Sequence, residues 1–180
     1  MNYIVEDNFF PDSLYQSTLS IMRDKGFLNT EKDYLNFIGK RSSLKNRYYI
    51  TKKSPKCEKE IADFFQKKYS IPNTYLKIEF ANDRPGFFLN KHSDHPEKKM
   101  VIIVYVEGPK ESGTSFKIND NISKLDFIPN RAIIFSPDKN KTYESKDNLH
   151  WVDKIKDTRR TLVVNWVDKD YWRETENCYA

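Results

Sequence analysis

Residues 85–106 read PGFFLNKHSDHPEKKMVIIVYV. The stretch opens on a Pro85-Gly86 turn and runs extended from Phe87 to Asn90 into His92. A polar turn, His95-Pro96-Glu97-Lys98-Lys99, separates it from an apolar run, Met100 to Val106. That run is strand-sized, far short of the roughly 20 apolar residues of a membrane-spanning helix. Side chains two apart on a strand point to the same face. His92 and Asp94 can therefore both reach one ion inside a β structure, and Met100 to Val106 supplies a core strand directly after them.

The same texture continues outward. Tyr75 to Ala81 alternates as a strand, and Asn82-Asp83-Arg84-Pro85-Gly86 is a turn cluster. Thr114 to Ile118, Leu125 to Ile128, Ala132 to Phe135 and Thr161 to Val167 read as further short strands. Upstream of Pro72 the pattern is helical. Asn2 to Phe9 suits an edge strand. A helix follows from Pro11-Asp12-Ser13, with Leu14, Leu19, Ile21 and Met22 on its apolar stripe, and stops near Gly26. A second starts at Ser54-Pro55, buries Ile61, Phe64, Phe65 and Tyr69, and ends by Pro72. Helices first and strands after is the α+β order, here mainly β. Closely spaced short strands predict a jelly-roll core with the N-terminal helices packed on one sheet. The expectation is a single domain over residues 1–180, with helical support to about 72 and the β core at about 73–168.

Composition narrows the function classes. Hydrophobic residues make up 38% and aromatics 14% of 180 residues, which favours a folded, ligand-lined interior over disorder. The N-terminus lacks a basic segment followed by an apolar one, so a secretory signal and a membrane anchor are not expected and a cytoplasmic location is. Cys57 and Cys178 stand far apart and read as reduced thiols. The net charge of +5 comes from interspersed acids and bases, which a solvated surface explains. The densest basic stretch, Lys40 to Lys53 with Tyr48 and Tyr49 inside it, could contact a nucleic-acid backbone, or form a polar strand or loop over a site. A nucleic-acid partner is not favoured.

Chemistry concentrates on the three histidines, His92, His95 and His150. His92 and Asp94 form a two-residue pair, and His150 is the remaining imidazole able to join them from a distant strand. Two imidazoles and one carboxylate on one face of a metal leave positions open, a set that suits non-haem Fe(II) enzymes. His95 has the wrong parity for ligation and is expected at the rim. Glu79, Asp83 and Glu107 lack such a partner and read as turn or surface acids. Arg160 follows ten residues after His150. It shares a strand face with Leu162, Val164 and Trp166, so it would be buried and need an anionic partner. A bidentate ligand carboxylate suits it, and an ion pair with a protein acid is the alternative.

These residues together resemble the Fe(II)- and 2-oxoglutarate-dependent dioxygenases, especially their prolyl-4-hydroxylase-like branch. The likeness runs from about Tyr75 to Val167. It rests on Pro85 to Asp94, Val104-Tyr105-Val106, Ser112-Gly113-Thr114-Ser115-Phe116, Pro129 to Phe135, and the order His92, Asp94, His150, Arg160. The resemblance implies a double-stranded β-helix (cupin-like) fold. It implies Fe(II) on His92, Asp94 and His150, the distal carboxylate of 2-oxoglutarate on Arg160 with Tyr105, and Trp166 lining the pocket. The implied reaction consumes O2 and 2-oxoglutarate, with ascorbate as an optional reductant, and hydroxylates a protein side chain or small molecule while releasing succinate and CO2. The chain departs from the family in lacking a glycine shortly before Arg160, and the doublet leaves Arg159 as a rival anchor. The polar segment from Ser136 to Leu149 makes His150 the loosest part of the match. A non-catalytic cupin-like metal- or ligand-binding module, or a dioxygenase acting on nucleic acid, is the alternative reading.

Overall fold

Two ten-residue strands, β5 (Lys98–Glu107) and β10 (Arg159–Asp168), pair antiparallel at the centre of the molecule. The computed structural model describes residues 3–23, 46–49, 55–95, 97–137, 149–170 and 178–179. Around the central pair a seven-stranded sheet forms. It adds β1 (Tyr3–Glu6), β2 (Arg47–Tyr49), β3 (Thr74–Asp83), β8 (Arg131–Phe135) and β11 (Cys178–Tyr179). Its order is β1-β8-β5-β10-β3-β11, with β2 also on β3. A four-stranded antiparallel sheet holds β4 (Leu89–His92), β9 (Leu149–Val152), β6 (Ser115–Ile118) and β7 (Asn121–Lys124), in the order β4-β9-β6-β7.

The apolar run of β5 is continuous because both its faces are covered. Ile102, Val104 and Val106 turn toward α1 (Asp12–Arg23) and α2 (Pro55–Lys68). They join Leu76, Ile78 and Phe80 of β3, Leu162, Val164 and Trp166 of β10, and Phe9, Phe10, Met22, Ile61 and Phe65 from the helical side. Val101, Ile103 and Tyr105 turn the other way and meet Phe116 of the small sheet, with Phe127, Ile133 and Phe135. The layers are therefore helices, large sheet and small sheet, mainly β with two α-helices among the described residues. Each fully buried side chain of this size contributes about 1.5–3 kcal/mol. Asn130 ties the layers at one corner: its Oδ1 accepts from Phe10 N–H at 2.9 Å and its Nδ2 donates to Phe10 O at 2.9 Å.

Several expected boundaries shift. Leu125 to Ile128 is not a strand; the chain pairs one step earlier, in β7. Asn119 (φ 54°) and Asp120 form the two-residue turn joining Ile118 to Asn121. Asn tolerates such left-handed backbone, so the hairpin closes there. Residues 125–128 fold back instead, with Leu125 N–H donating to Thr114 O at 3.0 Å and Phe127 N–H to Lys110 O at 2.8 Å. The approach is close: a Cβ on Gly113 would stand 1.7 Å from Leu125 O. β9, which carries His150, is a strand the sequence does not announce. Gly86 (φ 90°) sits in the expected turn cluster. Of the basic stretch, only residues 46–49 are described, and there the backbone forms β2 on the edge of β3. Residues 138–148 of the polar segment before His150 lie outside the described residues. Among the described residues, no helix is long and apolar enough to cross a membrane.

Candidate metal centre

Strand register brings the imidazoles together. His92, the last residue of β4, lies directly opposite His150 of β9, and their ring centres are 4.1 Å apart. Cross-strand neighbours at this spacing touch through their side chains. Strand β4 ends at His92, so Asp94 is not a strand neighbour as expected. It lies in the turn before β5 and reaches the same point from there. One ligand atom from each of His92, Asp94 and His150 lies within 4.8 Å of the other two, so a single ion could touch all three.

Their surroundings prepare them as donors. His92 Nδ1 is 2.8 Å from Asn90 O; a carbonyl only accepts, so Nδ1 carries a proton and donates to it, which fixes the ring orientation. His150 is 4% exposed and packs against Phe116 and Phe135, with ring centres at 5.9 and 5.3 Å. Burial, with the neighbouring His92, pushes its pKa down to about 3, so the imidazole stays neutral. Its Nδ1 is buried with no hydrogen-bond partner among the described residues, and its Nε2 lies 3.6 Å from Asp94 Oδ2. Burial alone would raise the pKa of Asp94. The Lys98 ammonium, bonded to it at 2.6 Å, is the largest opposing influence, and the carboxyl is held well below the usual range. Neutral imidazoles beside a carboxylate are the donor state a divalent metal requires. His95 stays out of the group and faces Glu97.

A second buried polar cluster lies further along the same interior face. On β10, Arg159, Thr161, Val163 and Asn165 turn toward the space between the sheets; Leu162, Val164 and Trp166 turn toward the helices. Arg159 is 2% exposed. Its NH1 donates to Ser112 O at 3.0 Å, and its Nε lies 3.6 Å from Asp83 Oδ2. Asp83 is fully buried, not the surface acid expected, and Arg47 grips it with two bonds of 2.5 and 2.8 Å. The Arg159 guanidinium carbon is 5.8 Å from the Tyr105 ring centre. Tyr105 pairs with Thr161 in register, stacks on Phe127 at 4.3 Å, and its hydroxyl accepts from Thr114 N–H at 2.6 Å. Thr114 Oγ1, Thr161 Oγ1 and Arg159 Nε are buried without hydrogen-bond partners among the described residues. Buried polar atoms are rarely left so. The guanidinium groups of Arg47 and Arg159 both face the Asp83 carboxylate.

The structure does not bring Arg160 or Trp166 to either group. Arg160 does share a face with Leu162, Val164 and Trp166, but that face packs on the helices. Its NH1 bonds Glu107, which also takes Arg23 of α1. Trp166 packs edge-on against Phe65 and Tyr69, with ring centres at 5.8 and 5.7 Å. The interior place that the sequence reading gave to Trp166 belongs to Asn165, opposite Val101. The sequence gives no site role to Arg47, Thr114, Thr161 or Lys98, and it reads Asp83 as a turn or surface acid. For Asp83 the signal was available: it is the last residue of a strand on the same parity as Ala81 and Glu79.

No sequence-family model matches the chain, and no curated protein matches it by sequence. Solved structures do. A prolyl-4-hydroxylase from Pseudomonas putida has a TM-score of 0.67 at 14% identity, over 92% of this chain and 92% of that one. A viral collagen prolyl hydroxylase from Paramecium Bursaria Chlorella virus-1, in complex with 2-oxoglutarate, has a TM-score of 0.59 at 17% identity, over 93% and 96%. HygX from Streptomyces hygroscopicus, with nickel, 2-oxoglutarate and hygromycin B bound, has a TM-score of 0.60 at 10% identity, over 97% and 86%. The chain has the fold of the prolyl-4-hydroxylase-like 2-oxoglutarate oxygenases.

Proposed function

We propose that this chain is an Fe(II)- and 2-oxoglutarate-dependent oxygenase built on a double-stranded β-helix, hydroxylating a C–H bond of a protein side chain or small molecule. The observation that supports this most strongly is the convergence of His92, Asp94 and His150 from two distant segments, the end of β4 with the turn after it and β9. The three would hold Fe(II) on one face and leave its other positions to cosubstrate and O2. When bound, the metal with 2-oxoglutarate and O2 supplies the oxidising power, and 2-oxoglutarate leaves as succinate and CO2.

The protein's own part is binding and orientation. The Asn90 carbonyl fixes the His92 ring orientation. Phe116 and Phe135 hold His150 in a dry setting and keep it neutral. We place the distal carboxylate of 2-oxoglutarate on Arg159, with Tyr105 and Thr161 beside it, and give Arg160 a structural role against Glu107. This choice follows from the side of β10 on which each guanidinium lies. Val163 and Ile103, paired in register between the two groups, line the apolar span that a dicarboxylate would cross.

The direct test is anaerobic titration of Fe(II) followed by 2-oxoglutarate, reading the metal-to-ligand charge-transfer band. Wild type should develop the band, and His92→Ala and His150→Ala should not. No band in wild type at saturating Fe(II) would refute the assignment. The aerobic enzyme should also release succinate slowly without added substrate.

A further inference from the structure

We propose that Lys98 is a positioning residue of the metal centre, holding one oxygen of Asp94 away from the metal and supplying the charge that draws anionic chelators to it. The inference rests on the metal assignment above. Lys98 Nζ lies 2.6 Å from Asp94 Oδ1, while Asp94 Oδ2 is the oxygen 3.6 Å from His150 Nε2. The two oxygens are thus divided: one engaged by an ammonium, the other turned toward the imidazoles. Lys98 admits an ion to one carboxylate oxygen only, leaving more positions for ligands.

The turn that carries Lys98 is fixed. Lys98 N–H donates to His95 O at 3.1 Å, and Asp168 N–H donates to Glu97 O at 3.0 Å, pinning the turn to the end of β10. Lys98 is the first residue of β5, opposite Val167 across a register shift. Its side chain is 22% exposed and that of Asp94 10%, so the pair is largely shielded from solvent. Outer partners of ligating groups commonly set ligand orientation and basicity in this way.

The charge balance gives the consequence. With neutral imidazoles, Asp94 and Lys98 cancel, and a divalent ion keeps its full charge of two. Without Lys98, the loaded centre carries one. The free ion is then bound more tightly, because no ammonium repels it. Anions that chelate the bound ion are held more loosely, and a doubly charged chelator senses the loss about twice as strongly as a singly charged one.

The test is anoxic calorimetry with Co(II), then with oxalate or pyruvate added to the Co(II)-loaded protein. Neither chelator carries the distal carboxylate of 2-oxoglutarate, so Arg159 does not enter the comparison. Lys98→Met should bind Co(II) at least about tenfold tighter and lose more oxalate than pyruvate affinity. Lys98→Arg, which keeps the charge, should hold all three constants near wild type. A simple brace for the turn predicts the opposite sign, weaker Co(II) with Lys98→Met. That result, or constants unchanged from wild type, would overturn the inference. Wild type that binds no Co(II), in contrast, would overturn the metal assignment itself.

Discussion

Removing the charge of Arg159 should abolish tight 2-oxoglutarate binding, whereas removing that of Arg160 should leave it intact. Arg159 is 2% exposed and lies among Tyr105, Ser112 and Asp83. A carboxylate entering there would accept charge-assisted bonds from a guanidinium already held in place, each worth about 1.5–3 kcal/mol. Two such bonds amount to roughly 3–6 kcal/mol, or about two to four decades in Kd. Arg160 bonds a Glu107 that retains Arg23, and its side chain is 21% exposed. Losing such a partly exposed pair should cost about 0–1 kcal/mol of stability and leave 2-oxoglutarate affinity within about twofold.

The assay is calorimetric titration of 2-oxoglutarate into Ni(II)-loaded protein without oxygen, beside a thermal melt of each variant. A folded Arg159→Met that binds 2-oxoglutarate like wild type, or an Arg160→Met that loses as much, would refute the reasoning. Arg159→Lys should recover part of the affinity, because a point charge restores attraction but not the planar fork.

Two further outcomes follow from buried groups. His150 is neutral in the fold because its pKa lies near 3, below the ordinary value of 6.5. Its stability contribution is therefore present above about pH 6.5 and is lost as pH falls toward 3, with a slope of up to about 1.4 kcal/mol per pH unit. The metal-free protein should lose melting temperature over that range, and His150→Phe should flatten the profile; an unchanged profile would show that His150 is not buried neutral. Trp166→Ala should cost about 3–5 kcal/mol of stability, read by chemical denaturation, with 2-oxoglutarate affinity nearly unchanged in the folded fraction. A selective loss of 2-oxoglutarate binding would instead place Trp166 in the pocket.

The cluster of His92, Asp94 and His150 was legible because the chain contains so few histidines, and because His92 and Asp94 sit between an extended segment and an apolar strand. The helices and most strands were legible for the same kind of reason: Met100 to Val106 and Ile61 to Tyr69 have unambiguous periods. Two features were not. Asn119-Asp120 closes a hairpin one step before the expected strand, because a local left-handed turn outweighs the apolar run from Leu125 to Ile128. The choice within the Arg159-Arg160 doublet was hidden more deeply. On β10 both faces are covered, since Leu162, Val164 and Trp166 alternate with Thr161, Val163 and Asn165, and alternation alone cannot say which set meets the helices. Trp166 favours Arg160 only if its face lines the space between the sheets, and in the structure that face packs on the helices.

What decides the doublet is the helical layer. Phe65 and Tyr69 of α2 and its end need an aromatic partner, and Trp166 fills that place. Once Trp166 is committed there, period-two geometry sends Leu162 and Val164 after it and turns Thr161 and Val163 inward. Asp83 then becomes informative. It lies directly opposite Arg159 in the β3–β10 register, and a fully buried carboxylate requires cationic partners. Arg47 supplies one and Arg159 the other, which holds the inward guanidinium beside Tyr105 before any ligand arrives. A site prepared in this way needs little rearrangement to accept a carboxylate. The same residues that fold the edge of the large sheet thereby set the charge that the cosubstrate would meet.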